Sequence, residues 1–130
     1  GSEAPSVPDE SLDAAITVLA FHDYYFTHQS RPGGGYEDVD AVLGKLHKSL
    51  KKGGFVLVVD HVAAAGTGPA EFDTQHRIDP AFVQQKFEKA GFKLTATSDV
   101  LANPADDHTK SPFDPSIRRM TDRFIFKFEK

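Results

Sequence analysis

Cysteine is absent from this 130-residue sequence, which rules out a disulfide framework, a thiolate metal site and a cysteine nucleophile. It leaves the compartment undecided between cytoplasm and periplasm. A basic excess is also missing. The formal net charge is -4, and the lysines and arginines are interspersed with acids as on a solvated surface, so there is no field for counterion release on a phosphate backbone. Nucleic acid is not expected as a partner. No apolar run is long enough to span a bilayer, and the amino terminus shows neither the basic nor the apolar region of a signal peptide, so no membrane partner is expected either.

What is present has the composition of one modest globular domain, with 39% hydrophobic and 26% charged residues. Residues 1–11 read as a tail, in which Gly1-Ser2 resembles a cloning remnant, and residues 12–130 read as the domain. Asp13 to Phe21 is a nearly continuous apolar run with β-branched residues, the pattern of a strand buried on both faces. It ends in His22-Asp23-Tyr24-Tyr25. After a turn at Pro32 to Gly35, apolar residues at Val39, Val42, Leu43, Leu46 and Leu50 keep helical spacing until Gly53-Gly54 stops the helix. Phe55 to Val59 is a second continuous strand and ends in Asp60-His61.

Asp79-Pro80 reads as an N-cap and first helical residue, with Phe82, Val83, Phe87 and Ala90 on the inner face of the helix that follows. Two further strands are expected at Phe92 to Val100 and Arg123 to Phe128. Between them lies a polar insert, Leu101 to Asp122, carrying Asp106, Asp107, His108, Arg118 and Arg119. Its mixed charges suit a salt-bridged strap over the last strands, with a substrate lid as the alternative. The order is strand, helix, strand, helix, strand, strand. Right-handed crossovers then place both helices on one face of the sheet and leave the other bare.

Several stretches together resemble the class I S-adenosylmethionine-dependent methyltransferases, and within them a bacterial family of predicted methyltransferases. They are Asp13 to Tyr25, Lys48-Ser-Leu-Lys-Lys-Gly-Gly-Phe-Val-Leu-Val-Val-Asp-His61, His76-Arg-Ile-Asp-Pro80, Ala90-Gly-Phe92, Asn103 to Thr109 and Thr121 to Phe124. The resemblance implies the carboxy-terminal half of a doubly wound, Rossmann-like α/β sheet, strands four to seven, with the last strand antiparallel. It also implies S-adenosylmethionine as the family's cofactor. The strand and Gly-rich turn that would cradle that cofactor, and the acid that would hold its ribose, are not found in this sequence. Gly33-Gly34-Gly35 follows a polar loop and reads as a turn. A fragment of this kind is expected to bind little cofactor alone. It is also expected to self-associate or to pair with a complementing amino-terminal half, because the bare face and first strand edge need cover.

In open α/β sheets ligands bind beyond the carboxyl ends of the strands. On that ground His22, Asp23, Asp60 and His61 are the catalytic candidates, orienting a nucleophile or removing its proton. His76, Arg77 and Tyr24 are candidates for substrate contact, and Phe21 and His22 for cofactor contact. Tyr25 and Phe26 are further pocket candidates. His28 and His47 read as solvated. No two histidines keep the i, i+4 spacing of a helical metal motif, so no metal site is expected from the sequence.

Overall fold

The computed structural model describes residues 7–29, 31 and 35–130; Pro32, Gly33 and Gly34, most of the turn expected before the first helix, lie outside them. The elements are β1 (Leu12–Val18), a 3-10 turn (His22–Tyr25), α1 (Val39–Ser49), β2 (Leu50–His61), α2 (Pro69–Gln75), α3 (Pro80–Lys89), β3 (Lys93–Ser98) and β4 (Arg123–Glu129). They build a mixed four-stranded sheet in the order β1-β2-β4-β3. β1 and β2 are parallel, joined by the crossover through α1, and β4 runs antiparallel between β2 and β3.

Asp38 starts α1 by accepting the amide of Ala41 at 3.0 Å. The helix ends earlier than its apolar spacing suggests: Ser49 Oγ donates back to the Lys45 carbonyl, and Leu50, fully buried, is the first residue of β2. Gly53-Gly54 therefore shapes a strand irregularity and does not terminate the helix. The β1–β2 register slips between the Leu12–Leu50 and Ala14–Phe55 pairs. Gly53 turns the chain at φ +76, and a Cβ on Gly54 would lie 2.8 Å from the Lys51 carbonyl oxygen.

Helix α2 was not evident from apolar spacing because it is only two turns long. Pro69 opens it, and the Glu71 carboxylate accepts the Gly68 amide at 3.0 Å. Asp79 caps α3 by accepting from Ala81, with Pro80 as the first helical residue.

One apolar cluster unites the helices with one face of the sheet. Leu43 of α1, Val83 and Phe87 of α3, Val56 and Val58 of β2, and Phe124 and Phe128 of β4 all belong to it. Asp40 of α1 pairs with Lys86 and Lys89 of α3, so the two helices also meet at their surface. The sheet's other face has no helix among the described residues. There Ile16 is 68% and Val18 55% exposed, so β1 is not buried on both faces as its apolar run suggests: among the described residues it is an edge strand, paired with β2 alone. Among the described residues no helix is long and apolar enough to cross a membrane.

Candidate functional site

Because β1 and β2 are parallel, both deliver their carboxyl ends to one rim. Leu19, in the left-handed region at φ 53, turns the chain out of β1 into the short 3-10 helix that begins with His22. Asp60, near the end of β2, is wholly buried. Its carboxylate accepts the His22 amide at 2.9 Å, the His61 amide at 2.8 Å, and lies 2.7 Å from His22 Nδ1. This arrangement places the proton on His22 Nδ1 and turns Nε2 outward, 3.2 Å from Asp23 Oδ1.

Burial alone would press the His22 pKa down. The hydrogen bond to Asp60 and the charges of Asp60 and Asp23 outweigh it, and the net shift is upward. His61 moves the other way. Burial, His22, Arg77 and Arg123 push it down to about 4 against the pull of Asp60, so it is uncharged near neutrality. Its Nδ1 lies 2.7 Å from Thr121 Oγ1.

His76 reaches the rim from the far end of α2, where it caps the helix at φ 53 and ψ 41. Its ring stacks on Phe26 at 5.7 Å and meets His22 and Phe113 edge-on at 5.9 and 5.2 Å. His22, Asp23, His61 and His76 line a cavity of about 320 Å³ together with Phe113, Arg118, Arg119 and Arg123. Phe113, Arg118 and Arg119 of the insert thus take part in the site. The mixed charge of the segment was visible in the sequence, but its direction of folding was not. One ligand atom each from His22, Asp23 and His76 lie within 4.8 Å of one another.

Arg77 is not where a substrate contact would be. It is wholly buried. It grips Asp106 through both terminal nitrogens at 2.8 and 3.0 Å and donates to the carbonyls of Lys110 and Val62. Asp106 in turn accepts the amides of Asp122 and His108, and His108 pairs with Asp122 at 2.8 Å. Arg77 is therefore the anchor of the strap.

Phe21 and Tyr24 line a second cavity, separate from the one bordered by His22 and His76. Phe21 is 2% exposed and packs against Phe87, and both rings border this largely apolar cavity of about 230 Å³ with Ala15, Leu46 and Val56. Tyr25 is buried among Phe72 and Phe82. His47 is half-buried against the edge of Phe92, in place of the solvated position expected for it.

No family model matches the chain, and no curated protein matches it. Solved structures do. An S-adenosylmethionine-dependent methyltransferase from Mesorhizobium loti is similar over 100% of this chain and 67% of its own, with 16% identity and a TM-score of 0.60. A second from Aquifex aeolicus is similar over 98% of this chain and 50% of its own, with 14% identity and a TM-score of 0.54. The [4+2]-cyclase SpnF is similar over 100% of this chain and 53% of its own, with 17% identity and a TM-score of 0.60. The chain thus has the fold of S-adenosylmethionine-dependent methyltransferases and spans about half to two thirds of these structures' length.

Among the described residues, those expected to contact S-adenosylmethionine do not by themselves supply the acid that would hold its ribose. Phe21 is 2% exposed, and among the described residues the apolar cavity it borders is lined by no acid for ribose hydroxyls. At the rim Asp60 is fully engaged by His22 and His61.

Proposed function

We propose that this chain is part of an S-adenosylmethionine-dependent methyltransferase domain, corresponding to its carboxy-terminal half and supplying the wall that holds the methyl acceptor. The observation that carries this reading is the convergence of His22, Asp23 and His61 with His76 on one cavity at the carboxyl ends of parallel β1 and β2. Ligands of open α/β sheets bind at such a rim. In this reading His22, Asp23 and His61 touch the acceptor's nucleophile and orient it or take its proton, and Asp60 is the positioning residue that fixes the His22 ring. His76 and Phe113 supply flat apolar contact, while the arginines of the strap suit an acceptor bearing negative charge. The cofactor is held by residues outside this chain. Isothermal titration of the polypeptide with S-adenosylmethionine is expected to give a Kd of about 1 mM or weaker. Binding near 1 μM would overturn the division between a cofactor part and an acceptor part.

A second reading, that the chain acts as a self-associating or complementing module, is favoured by a different observation. Ile16 and Val18 stand exposed on a helix-free face beside the open edge of β1. A face-to-face or edge-to-edge dimer covers both. Sedimentation at low concentration is expected to show a dimer that the double substitution Ile16→Lys, Val18→Lys converts to monomer. A monodisperse monomer for the unsubstituted chain would defeat this reading.

A further inference from the structure

We infer that His22, Asp23 and His76 form a binding site for a divalent transition-metal cation of the zinc class, open toward the acceptor cavity. Two imidazoles and one carboxylate are a donor set that suits such an ion, whereas magnesium and calcium favour all-oxygen shells. Around a tetrahedral zinc with ligand bonds of roughly 2.0–2.2 Å, neighbouring ligand atoms lie about 3.4 Å apart. His22 Nε2 and Asp23 Oδ1 already stand 3.2 Å apart. With all three ligand atoms inside 4.8 Å, the imidazole of His76 needs to close by no more than about 1.4 Å.

Preorganisation is the second support. A metal-binding imidazole is ordinarily held by a hydrogen bond from its other nitrogen to a carboxylate, and His22 Nδ1 has that bond to the buried Asp60 at 2.7 Å. His76 is held by stacking on Phe26 and by the edge of Phe113. These two rings are therefore set from different elements before any ion arrives. Asp23, whose side chain is 56% exposed, is the adjustable third ligand.

Three protein ligands leave a coordination position free, and the cluster borders the 320 Å³ cavity proposed to hold the acceptor. Arg118, Arg119 and Arg123, which line the same cavity, oppose a cation. Two carboxylates, Asp23 as ligand and Asp60 behind His22, offset them, and an anionic acceptor bridging metal and arginines would complete the balance. The site goes beyond the methyltransferase reading. Its test needs neither cofactor nor turnover, so failure of one leaves the other standing.

The test is titration of the full chain with zinc(II) against a chelating dye, together with cobalt(II) as a visible-absorption probe. One saturable site with a Kd of about 10 μM or tighter is expected, with the intense d–d bands of four-coordinate cobalt. His76→Gln and Asp23→Asn should each weaken it at least about tenfold, and Asp60→Asn by about 10–100-fold. His47→Gln, on α1 away from the rim, should leave it unchanged. Circular dichroism checks folding, and the exposed Asp23 keeps the test decisive if His76→Gln does not fold. Absence of a saturable site, or affinity indifferent to Asp23→Asn, overturns the inference.

Discussion

Replacing Arg77 with methionine is expected to lower the free energy of unfolding by about 3–5 kcal/mol, the effect of stranding one partner of a buried ion pair. The Asp106 side chain is 1% exposed, and with Arg77 gone its carboxylate keeps only two backbone amides as donors. A domain of this size has a total stability of about 5–15 kcal/mol, so the loss is a large fraction of it. Urea unfolding followed by circular dichroism measures the change.

The effect carries a pH signature. Burial alone would raise the Asp106 pKa, but Arg77 and the amides of Asp122 and His108 hold it below the usual carboxylate range. A carboxyl depressed in the folded state contributes stability that is full above its unfolded value, about 3.9, and is lost as pH falls through the folded value. The gap between the native chain and Arg77→Met should therefore narrow on acidification below about pH 4. A gap that stayed constant into strong acid would remove the ion pair as its cause.

Truncating Phe87 to alanine is the other large effect, expected to cost about 3–5 kcal/mol. Phe87 is 1% exposed and stacks on Phe128 with centroids 4.1 Å apart and planes 9° apart. It also touches Phe21 and Phe92 at 5.5 and 5.3 Å. One side chain thus ties α3 to β4, to the segment entering β3, and to the residue immediately before His22. Removing it opens a cavity that rigid aromatic neighbours cannot fill. Urea unfolding checks the size, and a loss under 1 kcal/mol would show that the aromatic cluster collapses to fill the space.

Much of the frame was legible along the chain. The apolar runs before His22 and Asp60 are β1 and β2, the spacing of Val39, Leu43 and Leu46 is α1, and Asp79-Pro80 opens α3, because these signals act over a few residues. Helix α2 and the end of α1 were less visible. The first is too short to show a period. The second depends on Ser49 bonding back to Lys45 and on Leu50 being drawn into the β1–β2 ladder, a long-range pairing that overrides the helical spacing of Leu50.

The site divides along the same line. Its strand-end members, His22, Asp23, Asp60 and His61, follow from sequence because parallel strands must end at one rim. The roles of His76 and Arg77 do not. They are adjacent in the chain, yet His76, in the left-handed conformation that ends α2, turns to His22 and the cavity, while Arg77 turns inward to Asp106. Composition and local pattern thus determined an α/β domain with a histidine- and carboxylate-bearing rim and no thiol chemistry. Only the tertiary structure decided which of two neighbouring residues reaches the cavity, that the strap lends it arginines, and that His76 comes beside the His22-Asp23 pair. Those outcomes depend on backbone direction and long-range packing, which residue type and spacing do not encode locally.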